Sequence, residues 1–292
     1  MDAGPRFFPS RRIVRISLVL ASAALVAWGG ALGAVYWRQE SLLFHPEVMA
    51  VDQPLARGQP GDAQWLEEVW IPVPGARLHA LHLRHPKPRG LIFFLHGNGG
   101  NATTWMGNPE WYRQRNFDVF LLDYRGFGKS TGEISSEAQL HADVEAAWAW
   151  VAPRYVGRPI VVYGRSLGTG LAVRLAQEVS PALLVLVSPY ASVQELARRD
   201  YPLVPDWLLK YPLSSESRIA AVSSPIFILH GTEDALIPLE HARRLARLAA
   251  GRAQLKEIEG ASHGDIHRVP AYLDALAAQL ERLPEGVTGP SD

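Results

Sequence analysis

The chain has 292 residues, and its 29 basic and 29 acidic side chains cancel to a formal charge of zero. That length fits one large α/β domain or two small ones, while the balanced charge argues against a nucleic-acid partner. The sequence contains no cysteine, which excludes disulfides, thiolate metal sites and a cysteine nucleophile.

The first predicted element is an apolar helix near the N-terminus. Residues 16–37 contain no charged side chain, and such a helix would span about 33 Å, the thickness of a bilayer's hydrocarbon core. Four arginines lie in residues 1–15. The positive-inside rule therefore predicts a cytoplasmic N-terminus, a transmembrane signal anchor at 16–37 and an exoplasmic remainder, which in a bacterium faces the periplasm. The alternative is a signal peptide cleaved near the small residues at 31–33, which would release a secreted protein.

The rest of the chain alternates strand-like and helix-like segments. Residues 38–64 are rich in proline and glycine and predict a linker, of which SLLFHP (41–46) could dock on the domain; residues 65–284 predict the folded domain, and residues 285–292 predict a frayed tail. The predicted strands are an opening hairpin at 67–73 and 77–84, followed by 91–95, 118–124, 159–164, 182–187, 225–231 and 254–260. The predicted helices are 136–152, 167–179, 239–250 and 269–282. Because four of the strands are almost continuously apolar, we predict an α/β fold with a mostly parallel, doubly wound sheet covered on both faces.

One predicted strand runs directly into a glycine-flanked serine and then into a helix. The sequence at the junction is GRSLG (164–168). G-x-S-x-G between a strand and a helix is typical of a nucleophile elbow, a strained turn that exposes the serine hydroxyl at the carboxyl edge of the sheet. The two glycines allow the close backbone approach that this turn needs. The sequence therefore predicts Ser166 as a nucleophile.

A serine nucleophile needs a histidine base and an acid that orients the histidine. In this type of fold the partners follow in the order serine, acid, histidine. Asp234 comes directly after the strand at 225–231, and His263 comes after the strand at 254–260. Both side chains should emerge at the same sheet edge as Ser166, so we predict a Ser166–Asp234–His263 triad.

Neighbouring residues offer alternatives to this triad. Glu233 and Asp265 are alternative acids, and His267 is an alternative histidine. His263 and His267 also have a spacing that can chelate a metal on a helix. No third ligand or glutamate base accompanies them, so we expect no metal, and the predicted chemistry needs no cofactor.

The predicted reaction also needs two backbone N–H groups that stabilise the negative charge on the carbonyl oxygen. One should come from Leu167, the residue after the nucleophile. The other should come from the glycine-rich loop after the strand at 91–95, where we assign it to Asn98, with Gly97 or Gly99 as alternatives.

The order of six motifs resembles that of a known superfamily. The motifs are HGNGG (96–100), DYRGFGKSTGE (123–133), YGRSLGTG (163–170), SPYASV (188–193), HGTEDALIP (230–238) and GASHGD (260–265). Residues 91–268 resemble the α/β-hydrolase superfamily, and especially its membrane-anchored α/β-hydrolase-domain proteins and their bacterial relatives, which are similar to serine aminopeptidases and lipases. The resemblance implies an α/β-hydrolase fold and the same Ser166, Asp234 and His263 triad.

Four polar residues outside this site are expected to take no part in catalysis. The resemblance implies that DYRGFG is a structural loop, in which Asp123 and Arg125 would form an internal ion pair. His79 and His82 lie in the predicted hairpin. We expect both histidines to lie at the protein surface, on an edge of the sheet.

An insertion between two strands suggests the kind of substrate. Residues 191–215 are rich in proline, tyrosine and leucine, and they would lie over Ser166 as a small helical cap. Tyr190 and Trp207 are candidates for lining an apolar acyl pocket, although they could instead attach the cap to the domain. A membrane anchor with an apolar lid favours a small-molecule or lipid acyl substrate.

The sequence as a whole predicts a membrane-anchored serine hydrolase that cleaves carboxylic esters or thioesters. An acyltransferase or a peptidase would use the same triad, and a non-catalytic binding protein would have the same fold.

Overall fold

The computed structural model describes residues 11–55 and 65–285. Residues 1–10, 56–64 and 286–292 lie outside the described residues, and with them most of the predicted cytoplasmic segment, the end of the predicted linker and most of the predicted tail. The strands of the described part are β1 (His45–Pro46), β2 (Leu66–Val73), β3 (Ala76–Leu83), β4 (Gly90–Leu95), β5 (Gly99–Gly100), β6 (Phe117–Asp123), β7 (Ile160–Arg165), β8 (Leu183–Val187), β9 (Ile226–Gly231) and β10 (Ala253–Ile258). Its α-helices are α1 (Arg11–Leu43), α2 (Ala102–Met106), α3 (Pro109–Arg113), α4 (Glu137–Val151), α5 (Gly168–Val179), α6 (Val193–Asp200), α7 (Leu239–Leu248) and α8 (Pro270–Glu281).

Eight of these strands form one sheet in the order β10-β9-β8-β7-β4-β6-β3-β2. The pairs from β10 to β6 are parallel, whereas β3 is antiparallel to both β6 and β2. Every residue of β4, β6, β8 and β9 is buried. One core cluster packs α4, α5 and α7 against one face of the sheet, and a second packs α2, α3 and α8 against the other. The predicted doubly wound α/β fold is confirmed, and the continuous apolar strands follow from burial on both faces.

The apolar N-terminal helix is longer than the predicted 16–37 segment. α1 continues to Leu43, and its stretch Val14–Leu43 is long and apolar enough to cross a bilayer, with no buried part in its most apolar window. Residues 38–55 are not the linker that the sequence predicted. Phe44 is buried in the domain core, and β1 pairs in parallel with β5. The prediction was wrong here because proline and glycine content does not reveal docking contacts with distant residues.

The residues of the predicted cap form a short insertion between β8 and β9. It contains α6 and a 3₁₀ turn at Asp206–Leu208. The position agrees with the small helical cap predicted for 191–215.

Two predictions about structural polar residues are wrong. His79 and His82 are buried, because β2 forms the sheet edge and covers β3, which carries both histidines. Asp123 and Arg125 do not pair with each other. Arg125 forms an ion pair with Asp143, with N···O distances of 2.6 and 2.9 Å, whereas Asp123 accepts hydrogen bonds from the backbone of Ala102 and from His79.

Candidate active site

Ser166 lies at a sharp turn between β7 and α5. Its φ of 51° is in the left-handed region, which is unfavourable for a residue with a side chain. The turn is held because the Ser166 N–H donates to the Val187 carbonyl at 2.9 Å and the Ser166 carbonyl accepts from the Thr169 hydroxyl at 2.7 Å. The strained turn thus presents the serine at the carboxyl end of a central strand.

Glycines on both sides of the serine permit this turn. A Cβ at Gly164 would lie 2.7 Å from the Ala172 Cβ, on the first turns of α5. A Cβ at Gly168 would collide with the carbonyl oxygens of Leu95 and His96, at the end of β4. Any larger residue would therefore push α5 away from the sheet and displace the serine.

The three predicted triad side chains meet at this edge of the sheet. His263 Nε2 lies 2.9 Å from Ser166 Oγ, and His263 Nδ1 lies 2.8 Å from Asp234 Oδ2. Asp234 follows β9, and His263 follows β10. The topology brings together side chains that are 97 and 29 residues apart. The arrangement can pass a proton from the serine to an imidazole that a carboxylate holds in place.

The Asp234 carboxylate is held by the start of its own loop. Oδ1 accepts hydrogen bonds from the backbone N–H groups of Ile237 at 2.8 Å and Leu236 at 3.1 Å. Burial by itself raises the pKa of Asp234, but the hydrogen bonds from His263 and the Ile237 N–H outweigh it and lower the pKa below its ordinary value. Asp234 therefore stays ionised at neutral pH and can stabilise a protonated His263.

The alternative residues are not in these positions. Glu233 and Asp265 are exposed, and Asp265 caps its own loop by accepting a hydrogen bond from the Ser262 N–H at 2.8 Å. Burial and the nearby Arg165 guanidinium lower the pKa of His267 to about 4. Among the described residues, no group of three or more metal-ligating side chains comes together.

The loop after β4 places Asn98 beside the serine. Asn98 and Leu167 both line the cavity that contains Ser166. The loop is fixed because the Trp105 indole donates to the Gly99 carbonyl at 2.6 Å and the His45 N–H donates to the Asn98 carbonyl at 2.7 Å. A Cβ at Gly97 would lie 2.7 Å from the Trp105 ring, so only glycine fits there. This placement is compatible with the predicted oxyanion hole, whose two N–H groups stay a prediction.

Comparisons with known proteins agree with this architecture. The family described as serine aminopeptidase, S33, matches residues 86–214. Human alpha/beta hydrolase domain-containing protein 17B is 32% identical over 212 residues, which cover 69% of this chain and 70% of that protein. The corresponding protein 17C of Xenopus tropicalis is 33% identical over 217 residues, covering 71% of this chain and 67% of that protein. The chain belongs to the α/β-hydrolase superfamily.

Solved structures share the fold of this α/β-hydrolase at low sequence identity. The Pyrococcus furiosus esterase Pf2001 superposes with a TM-score of 0.66 at 20% identity, covering 82% of this chain and 99% of that one. The Paleococcus ferrophilus monoacylglycerol lipase gives a TM-score of 0.55 at 20% identity, covering 70% of this chain and 97% of that one. Family membership supports hydrolase activity.

A cavity of about 210 Å³ opens at Ser166 of this α/β-hydrolase. Its walls are mostly aliphatic and aromatic side chains from the domain, from the cap and from α1. Tyr190 is one of the lining residues, and its hydroxyl donates to the Leu167 carbonyl at 2.8 Å, which ties the cavity wall to the elbow. Trp207 is 78% exposed and does not line the cavity. The 3₁₀ turn buries the adjacent Leu208 instead, and this places Trp207 on the outer side.

Two contributions to the site were not predicted from the sequence. Arg165 is buried between the nucleophile and the histidine loop, donates to the His263 carbonyl at 3.2 Å and lies 4.9 Å from the centre of the Trp105 ring. Because the Trp105 indole donates to the Gly99 carbonyl, Arg165 thereby connects the loop after β4 to the loop that carries His263. The second contribution comes from the end of α1, which lines the cavity. Arg165 lies within the GRSLG motif (164–168), which drew attention only to Ser166. For α1, no local pattern indicated where the helix would pack.

Proposed function

We propose that this α/β-hydrolase is a serine hydrolase that cleaves carboxylic ester or thioester bonds of lipophilic acyl substrates through an acyl-enzyme on Ser166. The observation that carries the proposal is the unbroken set of hydrogen bonds from Ser166 through His263 to Asp234, beside a largely apolar cavity. A Ser–His–Asp set that opens into an apolar pocket suits the transfer of an acyl group from an alcohol or thiol to water.

The reaction follows from these contacts. His263 Nε2 takes the Ser166 hydroxyl proton as Oγ attacks the acyl carbonyl, and the backbone N–H groups of Asn98 and Leu167 hold the resulting oxyanion. Asp234 stabilises the imidazolium, which then protonates the leaving alcohol or thiol. Water, deprotonated by His263, attacks the acyl-enzyme and releases the carboxylic acid and free Ser166.

Loss of the nucleophile tests the proposal. Purified full-length protein should hydrolyse p-nitrophenyl butyrate, and Ser166→Ala should lower kcat/KM by about 10⁴-fold or more, because the residual rate comes from binding and the oxyanion hole alone. Ser262→Ala, a serine in the histidine loop but outside the triad, is the matched control and should retain wild-type activity within about threefold. An unchanged rate in Ser166→Ala would contradict the mechanism.

We also propose that α1 anchors the protein, with the N-terminus in the cytoplasm and the catalytic domain on the exoplasmic side of the membrane. The length and apolarity of Val14–Leu43 support the anchor, and the arginines before the apolar segment support the orientation. Alkaline phosphatase fused after Asp292 should be active in a bacterial host, whereas β-galactosidase at the same position should be inactive. The reverse pattern would contradict the orientation.

A further inference from the structure

The last turns of α1 form one wall of the cavity at the nucleophile. Val35, Gln39 and Leu42 follow one another at intervals of three or four residues, so they share one side of the helix. That side lines the cavity that contains Ser166, which the cap residues Leu196 and Val204 also line. The cavity is therefore complete only when α1 is in place.

Specific contacts hold α1 in this position. The Gln39 side chain is buried, donates to the Leu208 carbonyl at 2.9 Å and accepts from the Lys210 N–H at 2.8 Å. Glu40 accepts from the Tyr211 hydroxyl at 2.9 Å and pairs with Lys210 at 3.1 Å. Because a buried amide with both ends bonded tolerates little rotation, these contacts fix α1 relative to the cap.

The chain that leaves α1 continues onto the loop after β4, which carries Asn98. Phe44 packs edge-to-face against Tyr211 with ring centres 5.3 Å apart. β1 then pairs with β5, and the Glu47 N–H donates to the Gly100 carbonyl at 2.9 Å. The segment is thus integrated into the active site, in contrast to a tether that would only hold the domain near a membrane.

Large apolar side chains are exposed around this end of α1. Trp37 on the helix and Leu203 and Trp207 on the cap project outward, each with more than three quarters of its surface exposed. Lys210 lies between the two elements, with its ammonium 4.5 Å from the centre of the Tyr36 ring. Exposed tryptophan and tyrosine beside lysine are typical of the boundary between hydrocarbon and headgroups.

We propose that the end of α1 is part of the acyl-binding site and determines specificity. The substrate is an acyl ester or thioester whose chain resides in the bilayer that holds α1, and the chain enters the cavity between α1 and the cap. This inference rests on the proposed function. An acyl chain that moves from the bilayer along an apolar helix into an apolar cavity does not have to cross water, which favours membrane-resident substrates over dissolved ones.

Changes in the volume of Leu42 test the proposed wall. The full-length protein is reconstituted in phosphatidylcholine vesicles and assayed with p-nitrophenyl butyrate and p-nitrophenyl palmitate. Leu42→Trp, which fills the cavity, should lower the palmitate-to-butyrate ratio of kcat/KM at least tenfold. Leu42→Ala, which enlarges the cavity, should not lower this ratio. Val26→Trp is the matched control on the exposed surface of the same helix, at 76% exposure, and should retain the wild-type ratio.

A fluorophosphonate probe separates failure of this inference from failure of the proposed function. The small probe reports on Ser166 and His263 without filling the acyl cavity. An unlabelled wild-type protein would overturn the proposed function. Labelled Leu42→Trp protein with the wild-type ratio would overturn the α1 wall and leave the proposed function intact. If Leu42→Trp is not labelled, the proposed wall is judged from Leu42→Ala alone. A lowered palmitate-to-butyrate ratio in Leu42→Ala would overturn the proposal that α1 forms a wall of the acyl-binding site.

The route through the bilayer has its own test. Palmitate ester placed in the vesicles that contain the protein should be hydrolysed at least tenfold faster than the same ester supplied in separate, protein-free vesicles. Equal rates for both arrangements would overturn the membrane route.

Discussion

Two histidines in this protein each contact an aspartate through Nδ1, but their surroundings differ. His263 Nδ1 lies 2.8 Å from Asp234, and His79 Nδ1 lies 2.8 Å from Asp123. The Nε2 of His263 faces the Ser166 hydroxyl at 2.9 Å, whereas the Nε2 of His79 faces the Glu68 carboxylate at 3.1 Å. Both clusters of this protein therefore contain a histidine bonded to an aspartate, and they differ in the group that faces the other ring nitrogen.

The surroundings separate the two pairs further. The His263 side chain is 21% exposed and reaches the cavity at the carboxyl end of the sheet, whereas the His79 side chain is 1% exposed beneath the edge strand β2. Lys129 lies in the loop after β6 and pairs with Glu68 of β2. The second cluster therefore ties β2, β3 and that loop together. Both ring nitrogens of His79 face carboxylates and neither faces a hydroxyl, so we interpret the His79 cluster as structural, whereas the His263 cluster can perform chemistry.

Replacement of the acid in the first pair should have the largest effect. In Asp234→Asn the amide no longer stabilises the imidazolium and favours the wrong histidine tautomer, so we expect kcat/KM for p-nitrophenyl butyrate to fall about 10³–10⁴-fold. Glu233→Gln, at the exposed adjacent position, is the matched control and should stay within about threefold of wild type. A larger loss in Glu233→Gln than in Asp234→Asn would assign the acid to Glu233.

The same substitution in the second pair should change stability. Asp123→Asn weakens the hydrogen bonds to His79 and to the Ala102 N–H, and we expect the free energy of unfolding to fall by about 3 kcal/mol, as for other broken buried pairs. The folded protein should keep its fluorophosphonate labelling at low temperature. Urea denaturation measures the first quantity. If Asp123→Asn abolishes labelling while the free energy of unfolding stays at the wild-type value, the pair of Asp123 and His79 has a role in the chemistry and not in stability.

The local chemistry of the site was accessible from the sequence. Continuous apolar runs located the central strands, because a strand buried on both faces has no polar face. GRSLG located the elbow, because only glycine fits where α5 approaches β4. Once a parallel sheet is assumed, residues that follow neighbouring strands meet at one edge, and this placed Asp234 and His263 near Ser166.

Contacts between distant segments were not accessible in this way. Gln39 bonds to Leu208 across 169 residues, and nothing in either local sequence indicates the pair. His79 was expected at the surface because a hairpin usually supplies an edge. The strand order shows that, of the two hairpin strands, only β2 lies at an edge of the sheet, and this order depends on which strand pairs with β6. Periodicity shows which residues are buried, but it does not show which distant segment buries them.

A third histidine, His82, should make the stability of the protein depend on pH, and this is the smallest of the expected effects. His82 is buried, and its Nε2 lies 2.8 Å from the Tyr155 hydroxyl, which itself donates to the Asp118 carboxylate. Since the hydroxyl hydrogen is used on Asp118, His82 donates through Nε2 as a neutral imidazole. Burial first, and then the nearby charges of Arg84 and Arg154, lower the pKa of His82 to about 4.

The lowered pKa of His82 gives the direction of the pH effect. The unfolded chain binds this proton below about pH 6.5, whereas the folded protein binds it only near pH 4, so acidification between these values favours unfolding. At pH 5 the effect is about 2 kcal/mol relative to pH 7. Burial raises the pKa of Asp118, which acts in the opposite direction, but Asp118 is retained in His82→Gln. That variant should therefore lose about 2 kcal/mol less free energy of unfolding than wild type between pH 7 and pH 5. Urea denaturation at pH 7 and at pH 5 measures both losses. If wild type and His82→Gln lose the same free energy of unfolding between these pH values, His82 takes up its proton in the folded state.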